Sequence, residues 1–395
     1  MGRILFLTTT NLAVNPRLVK ELQIALKFFA VVEVAYFRLG GWSDLKTDKI
    51  KRDFPGVIFN ELFANRRDLT WIVISVMNYF LRNVNLRILN ERLVAYSLDK
   101  RSILLDLFCR RQLNKYDWVI AHNPGAFYPA YSLANRTSSK LGLDIEDYHP
   151  GENNDVYYSN RMLNHMIHLL PRADYCSFAA PLIQRECEKY FSDNTKKWFT
   201  LINGFPQKEF AEPKELESNR IRIVWFSQNI SPGRGLEKFI IVLQEFNHEI
   251  DLHFVGSLSL KNKKAMLLDN SMITIHAPMS QKDLHLFLST FTVGLVTDPP
   301  INRNREIAVT NKIIAYAQAG LFILAVSAEG HNQFLEDSEL DFDIVDYSEI
   351  AIRDALGRLI KINKKKKFNQ KRQFELAKKY SWELISNKLI EVWQN

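Results

Sequence analysis

The sequence predicts an α/β protein with two doubly wound domains, each built on a parallel sheet with helices on both faces. Short apolar runs alternate with amphipathic helical stretches through both halves of the chain, the pattern expected of such sheets. At 395 residues the chain is too long for one ordinary core. Hydrophobic residues make up 47% of it and charged residues 24%, which is enough to fill two cores and excludes a disordered chain.

The first half predicts a domain over residues 1–205 that opens with a strand and an amphipathic helix. The helix covers 16–29 (PRLVKELQIALKFF), where apolar residues recur at helical spacing. Strands are predicted at the short apolar runs, which lie at 4–7, 31–37, 118–121, 175–179 and 199–202.

The second half repeats the alternation and predicts a domain over residues 206–378. The stretch 203–219 (NGFPQKEFAEPKELESN) is polar, charged and holds two prolines, which indicates a boundary between the domains. The predicted elements are strands at 223–226, 252–255, 273–276, 293–296, 322–326 and 342–345, and helices at 236–246, 282–291 and 311–319.

Residues 379–395 predict a last helix that returns toward the first domain. The helix covers 382–393, and its apolar residues form one stripe. Because this stripe lies beyond the last strand of the second domain, we expect it to pack on the first. Its members are Trp382, Ile385, Leu389 and Trp393.

The formal net charge of +8 favours a polyanionic partner. Nucleic acid, an anionic membrane surface and a phosphorylated substrate all qualify. The sequence has no zinc finger, RNA-recognition signature or aromatic–basic repeat, so we predict no nucleic-acid partner. The segment 361–372 (KINKKKKFNQKR) has seven Lys or Arg in twelve residues, and it is either a solvated helix end or a membrane contact.

The sequence favours a cytoplasmic protein. Cys109, Cys176 and Cys187 form no CxxC pair and no ligand spacing, which indicates reduced core thiols. Neither a signal peptide nor a run of about eighteen apolar residues is recognisable. The apolar stretch 71–81 (WIVISVMNYFL) suits a core helix or a helix at a membrane interface. Together with the basic segment, it predicts a weak peripheral contact with the inner face of an anionic membrane.

Five segments carry a resemblance to a known family. They are 15–22 (NPRLVKEL), 202–205 (INGF), 225–237 (WFSQNISPGRGLE), 311–320 (NKIIAYAQAG) and 379–382 (KYSW). In this order and spacing they resemble the retaining glycosyltransferases of the GT-B fold, in the large family (glycosyltransferase family 4-like) that includes bacterial mannosyl- and glucosyltransferases. The resemblance implies two Rossmann-like domains that face across a cleft, with the acceptor in the first and the nucleotide-sugar donor in the second. It implies retention of anomeric configuration, no metal and no cofactor besides the donor.

The resemblance also implies which residues bind the donor's diphosphate. Without a metal, its charge is neutralised by basic side chains, backbone N–H groups and helix N-termini. Arg234 occupies a basic position of the family in the loop 227–235, whereas Gln228, beside Asn229, stands where arginine is usual. We expect Asn311 to cap the next helix and Lys312 to add a charge there, although Lys312 is equally compatible with a solvated first turn.

The sequence departs from the family at several donor-binding positions. Ile307 and Ala315 replace two glutamates, one of which contacts the sugar and the other the ribose. Glu306, one residue away, is either a substitute sugar ligand or a solvated loop residue. Relatives carry paired glycines in the loop 8–15, which has none here, so side chains such as Asn15 are expected to contact the donor instead.

Three residues of the first half are candidates for catalytic roles. His122 ends a predicted strand at a position where the family keeps a histidine near the transferred sugar. The segment 144–152 (DIEDYHPGE) resembles the family's Asp- and His-bearing loop, so Asp147 and His149 are either acceptor or sugar contacts or members of a polar turn.

Taken together, these patterns predict a glycosyltransferase that moves a sugar from a nucleotide diphosphate to a saccharide or lipid-linked acceptor. Surface polysaccharide or glycolipid assembly is the implied context. Two alternatives stay open. The missing glutamates suit a nucleotide-sugar binding protein without transferase activity, and the fold also suits a nucleotide-sugar epimerase.

Overall fold

The computed structural model describes residues 2–64, 68–85, 90–191, 197–214, 220–266, 273–365 and 367–395. The chain divides into two compact units. The first contains Met1–Leu201 together with Lys388–Asn395, and the second contains Ile202–Asn387.

In the part of the chain that the structure describes, the first unit holds one sheet of seven parallel strands in the order β3-β2-β1-β4-β5-β6-β7. Because β1 lies between β2 and β4, the order reverses at β1, where doubly wound sheets place their ligand sites. The strands are β1 (Arg3–Thr8), β2 (Val31–Arg38), β3 (Val57–Phe63), β4 (Trp118–His122), β5 (Lys140–Ile145), β6 (Tyr175–Phe178) and β7 (Lys197–Thr200).

Four helices of the first unit, the first, third, fourth and seventh, begin at an Asn or Asp whose side chain caps them. Asn15 caps the first helix, with Pro16 in its first turn, and Asp155 caps the seventh. The helices are α1 (Pro16–Phe28), α2 (Trp42–Asp53), α3 (Leu69–Asn83), α4 (Glu91–Leu98), α5 (Arg101–Arg111), α6 (Pro124–Thr137), α7 (Val156–Leu169) and α8 (Pro181–Glu188).

The described residues of the second unit form a sheet of six parallel strands in the order β10-β9-β8-β11-β12-β13, which reverses at β8. The strands are β8 (Ile221–Ile230), β9 (Ile250–Leu258), β10 (Ile273–His276), β11 (Val293–Val296), β12 (Phe322–Val326) and β13 (Phe342–Val345). The helices are α9 (Leu236–Leu243), α10 (Leu260–Ala265), α11 (Gln281–Leu288), α12 (Arg303–Ile307), α13 (Asn311–Gln318), α14 (Glu329–Glu336), α15 (Glu349–Lys364), α16 (Gln370–Ala377) and α17 (Trp382–Ile385). The last helix, α18 (Asn387–Gln394), begins at the last residue of the second unit and otherwise belongs to the first.

Successive residues of β8 belong to the two cores of the second unit. Ile223 and Trp225 pack into the core that contains α9 and α15, whereas Val224 between them packs into the core that contains α13. This is the two-residue alternation of a strand buried on both faces. The predicted pair of doubly wound parallel sheets is therefore confirmed.

The structure corrects the prediction for one strand and for one helix. β3 was not predicted, because it is an edge strand whose polar Asn60 and Glu61 interrupt the apolar run. The predicted helix over 382–393 is two helices, α17 and α18, which are separated at Ser386. This interruption coincides with the passage of the chain from the second unit, which ends at Asn387, to the first.

The apolar stripe of the last helices is buried on both sides of the interruption. Trp393 lies edge-on to Phe6 and Phe29 of the first unit, and its indole N–H donates to the Tyr175 hydroxyl at 3.3 Å. The Trp118 indole N–H in turn donates to the Trp393 carbonyl at 3.3 Å. The last helix therefore completes the core of the first unit.

Candidate functional site

The loop between β8 and α9 holds Arg234 against the end of β11. Gly233 and Gly235 have φ values of 79° and 74°, in the left-handed region that favours glycine. A Cβ on Gly235 would lie 1.8 Å from the Thr297 carbonyl oxygen. The Thr297 hydroxyl donates to the Arg234 carbonyl at 2.7 Å. The loop is thus fixed to the residue that follows β11.

We expect Gly235→Ala to destabilise the protein more than Gly233→Ala. Both substitutions force a left-handed alanine, at about 1–2 kcal/mol. At Gly235 the new Cβ also meets the Thr297 carbonyl, whereas nothing lies within 4 Å of a Cβ at Gly233. Urea unfolding of the two variants measures the difference in unfolding free energy. Equal losses would contradict the close contact between this loop and β11.

Asp298 lies between two of the predicted donor ligands. Its Oδ2 is 2.6 Å from the Lys312 Nζ, and its Oδ1 is 3.3 Å from the Arg234 Nε. The side chain of Lys312 is only 7% exposed, and its Nζ lies 5.3 Å from the centre of the Trp225 ring. The predicted alternative of a solvated lysine is therefore wrong. Sequence reasoning missed Asp298, which carries no local motif.

The charges around Asp298 are predominantly positive. Burial alone would raise the pKa of Asp298, but the charges of Lys312 and then Arg234 and Arg305 outweigh it, so the pKa lies below its ordinary value. The Nη1 of Arg305 is buried and has no hydrogen-bond partner among the described residues. We name Arg234, Asp298, Arg305 and Lys312 the basic cluster. Three cationic side chains around one carboxylate suit an oxyanion.

Gln228 and Asn229 lie on a strand, so the predicted loop over 227–235 was too long. β8 extends to Ile230 because Asn229 pairs with Ser257 of β9 beyond a bulge. Both side chains are exposed. Ser227 contacts the basic cluster instead, since its Oγ accepts from the Arg234 Nη2 at 2.9 Å. Donor binding by Gln228 and Asn229 stays a prediction.

Asn311 does not cap α13, which corrects the prediction. Asn311 is the first residue inside the helix, and Thr310 at the cap makes no side-chain capping bond. The Asn311 Oδ1 accepts from the Asn203 Nδ2 at 3.2 Å.

The Glu306 Oε1 accepts from the Glu329 backbone N–H at 3.1 Å, at the start of α14. Glu306 therefore already accepts a hydrogen bond from the backbone of α14, and its contact with a sugar stays a prediction.

Asn15 is a helix cap in this structure. Its Oδ1 accepts from the Leu18 backbone N–H at 3.1 Å, and the side chain is buried. Asn11 caps the preceding turn in the same way, through the Val14 N–H at 3.2 Å. These bonds explain why the loop after β1 holds its shape without glycines. A role for Asn15 in donor binding remains a prediction.

His149 and Asp147 lie in the turn that follows β5. The His149 Nδ1 is 3.0 Å from the Glu152 Oε2, and the side chain is 12% exposed. Burial alone would lower the pKa of His149, but the hydrogen bond to Glu152 outweighs it and raises the pKa. The Asp147 carbonyl accepts from the His149 N–H at 3.0 Å. This turn is polar and partly accessible, and its contact with acceptor or sugar stays a prediction.

His122 is fully buried at the end of β4 and contacts two carboxylates. Its Nε2 is 3.2 Å from the Glu21 Oε2, and its Nδ1 is 3.1 Å from the Asp144 Oδ2. Burial alone would lower the pKa of His122, but the Glu21 charge and the bond to Asp144 raise it well above its ordinary value. Burial also raises the pKa of Glu21, so the Glu21–His122 pair tends to keep a proton inside the first unit. Its contact with the transferred sugar stays a prediction.

Arg17 completes a buried ion cluster with Glu21, His122 and Asp144. Its Nη2 donates to the Asp144 Oδ1 at 2.6 Å, and its Nη1 donates to the Leu201 carbonyl at 2.6 Å. Sequence reasoning missed this cluster. A signal existed, since Arg17 and Glu21 lie four residues apart on the apolar face of α1.

The buried ion cluster also bears on the prediction that no metal is used. Glu21, His122 and Asp144 each offer a possible metal-ligand atom, all within 4.8 Å of one another. The His122 ring already lies within 3.2 Å of both carboxylates, and the guanidinium of Arg17 pairs with Asp144. These residues therefore fit an internal ion-pair network better than a cation site. Metal independence remains a prediction.

Solved structures resemble this chain over its whole length. Sucrose-phosphate synthase from Thermosynechococcus elongatus matches with a TM-score of 0.70 at 12% identity, over 100% of this chain and 98% of that one. Alr3699/HepE from Anabaena, in complex with UDP and glucose, gives 0.68 at 13% identity over 99% of each chain. A glycosyltransferase from Rickettsia africae ESF-5 gives 0.65 at 12% identity over 100% and 97%. The fold is that of the GT-B glycosyltransferases.

At identities of 12–13% this similarity establishes the GT-B fold and does not by itself establish an activity. No protein-family model matches the sequence, and no curated protein matches it.

Proposed function

We propose that this GT-B chain is a metal-independent, retaining glycosyltransferase that moves a sugar from a nucleotide diphosphate to a saccharide or lipid-linked acceptor. Surface polysaccharide or glycolipid assembly is the proposed context. The observation that carries the proposal is the basic cluster. It lies beyond the carboxyl ends of β8 and β11, where the strand order reverses and doubly wound sheets bind ligands.

The basic cluster supplies what the chemistry requires. When the glycosidic bond breaks, negative charge develops on the diphosphate, and fixed cations lower the barrier by stabilising that charge. Arg234 lies on a loop that Thr297 holds by a hydrogen bond, and Lys312 lies in the first turn of α13. Both side chains are therefore held in place before the donor binds. The first turn of α13 adds the positive end of a helix dipole. Alr3699/HepE, whose fold is similar, binds UDP and glucose, which agrees with such a donor.

The first unit offers the proposed acceptor contacts. His149 is the more accessible histidine, at 12% exposure, and it follows the carboxyl end of β5 with Asp147. His122 would first have to leave Glu21 and Asp144 to reach a sugar. We therefore propose that His149 and Asp147 contact the acceptor.

One observation favours the alternative of a binding protein without transferase activity. Ile307 and Ala315, which replace the two glutamates of the family, are both completely buried. They are core residues here, and neither can contact a sugar. A protein that retains the diphosphate site and lacks the sugar ligands would bind the donor without transferring it.

Donor turnover with and without acceptors distinguishes the three functions. The protein is incubated with UDP-, GDP-, ADP- and CMP-sugars, with saccharide and lipid-linked acceptors, in excess EDTA. We expect acceptor-dependent release of a nucleoside diphosphate that EDTA does not abolish. Binding without turnover would indicate the binding protein, and inversion of the donor without acceptor would indicate the epimerase. Turnover lost in EDTA and restored by manganese would contradict the metal-free mechanism.

Helix α3 carries the proposed contact with the membrane. Trp71 and Ile74 are buried, but the opposite side of the helix is apolar and exposed. In the described residues, no helix combines the length and the apolar character needed to cross a bilayer. Contiguous exposed apolar side chains often mark interaction surfaces, and an amphipathic helix can lie in a membrane interface. The exposed side chains are Leu69, Ile72, Val73, Val76, Tyr79 and Phe80.

We predict weak binding to anionic vesicles through α3, released by salt. The predicted source of the salt dependence is the net charge of +8 and the basic segment 361–372. Each basic residue near an anionic surface contributes about 1 kcal/mol, and this contribution falls with ionic strength. In vesicle flotation, the double variant Val73→Ser, Phe80→Ser is expected to float less than the unmodified protein. Leu113→Ser is the matched control, because Leu113 is exposed and outside α3. If the unmodified protein stays with the soluble fraction at low salt, the membrane contact is wrong.

A further inference from the structure

Lys312 is a buried cation whose charge depends on its surroundings. Burial lowers its pKa, and Asp298 opposes that shift through the ion pair at 2.6 Å. The other cations of the cluster, Arg234 and Arg305, lower the pKa further. Without a carboxylate beside it, Lys312 would therefore be expected to release its proton.

The other titratable groups near Lys312 do not replace Asp298. His331 of α14 is buried with its Nδ1 3.2 Å from the Val326 carbonyl, and burial lowers its pKa, so it is neutral. Tyr316 of α13 is buried and hydrogen-bonded to the Leu295 carbonyl, and burial raises its pKa well above the ordinary value, so it is also neutral. Among the groups that act on Lys312, Asp298 is the one that stabilises the ammonium.

Asp298 also connects two elements of the donor side. Its two oxygens face different cations, Lys312 from α13 and Arg234 from the loop before α9. The neighbouring Thr297 holds the same loop through the Arg234 carbonyl. A shift of Asp298 would therefore change the separation of the two cations proposed to bind the diphosphate.

We infer that Asp298 is a positioning residue of the donor site: its carboxylate keeps the Lys312 ammonium in place and protonated, so that Lys312 and Arg234 act together on an oxyanion. The identity of that oxyanion, the diphosphate of a nucleotide-sugar, rests on the proposed function. The effect of Asp298 on Lys312 does not, and it is measurable without a ligand.

The first measurement is the pH dependence of UDP-glucose binding by Asp298→Asn. Asparagine keeps the size of the side chain and removes its charge. Between pH 6.5 and 8.5 we expect the Kd of the unmodified protein to change by less than about twofold, because the ion pair with Asp298 opposes the loss of the Lys312 proton. In the variant the Kd is expected to rise about tenfold over this range as the ammonium is lost. The double variant Asp298→Asn, Lys312→Met is expected to bind weakly without this pH dependence.

The second measurement is thermal unfolding of the same proteins without ligand. In Asp298→Asn the folded state binds the Lys312 proton less tightly than the unfolded chain does, so the loss of stability is largest at low pH and shrinks as pH rises. The deficit in Tm relative to the unmodified protein is expected to be smaller at pH 8.5 than at pH 6.5. In the double variant the deficit is expected to be independent of pH.

The two measurements separate this inference from the proposed function. If the unmodified protein does not bind UDP-glucose but the deficit in Tm of Asp298→Asn depends on pH as described, the choice of ligand fails and the coupling of Asp298 to Lys312 stands. A deficit in Tm that is equal at both pH values would overturn the inference. So would UDP-glucose binding by Asp298→Asn that is unchanged, or weakened equally at both pH values.

Discussion

Replacement of Arg17 by methionine is expected to lower the free energy of unfolding by about 3–5 kcal/mol, because it removes the guanidinium from the buried Asp144 carboxylate and leaves His122 as the remaining basic partner of that carboxylate. Arg17 and Asp144 are both fully buried, and the guanidinium also holds the Leu201 carbonyl. Methionine keeps most of the apolar stem of arginine, so the loss of stability measures the contribution of the charge and its hydrogen bonds. Urea unfolding measures it.

Arg3→Met is the matched control for this experiment. Arg3 pairs with Glu33 at 2.9 Å, but its side chain is 37% exposed. Water screens such a pair, which typically contributes about 0–1 kcal/mol. If Arg17→Met costs no more than Arg3→Met, the buried ion cluster does not stabilise the first unit.

Arg234→Ala is expected to weaken donor binding by about 1.5–3 kcal/mol, the range for hydrogen bonds to charged groups. Arg234 belongs to the basic cluster and is held by Ser227 and Asp298, so its loss removes a cation that is already in position. Calorimetric titration with the bound nucleotide-sugar measures the change in affinity.

A surface arginine of the same unit serves as the control for Arg234. Arg353 on α15 pairs with Glu245 at 2.5 Å, outside the basic cluster. Arg353→Ala is expected to leave donor affinity unchanged. An Arg234→Ala variant that also keeps full affinity would show that Arg234 is only a turn residue.

Most strands of the two sheets were predictable from short apolar runs between turns, which are typical of parallel strands. β11 and β12 are completely buried and have the predicted bounds, and so do the edge strands β10 and β13, which are only partly buried. The end of β8 was not predictable from composition. Polar residues 227–229 extend it because β9 offers pairing partners, which is a tertiary effect.

The basic residues of the site were predictable, and their carboxylate partners were not. Arg234 follows a Pro-Gly turn and Lys312 opens a helix, so each has a local signal. The contact of Asp298 with both is made by folding, as is the bond between Arg17 and Asp144 across 127 positions. The short repeats of apolar residues that predict helices and strands do not indicate which distant residues will contact each other.

Thermal shift with a panel of nucleotide-sugars tests the proposed donor site most directly. UDP-, GDP-, ADP- and CMP-sugars are each added to the unmodified protein and to Arg234→Ala. We expect at least one of them to raise the Tm of the unmodified protein, since a ligand that binds only the folded state stabilises it, and we expect a smaller shift in the variant. No shift with any of them, or equal shifts in both proteins, would contradict a donor site at the basic cluster.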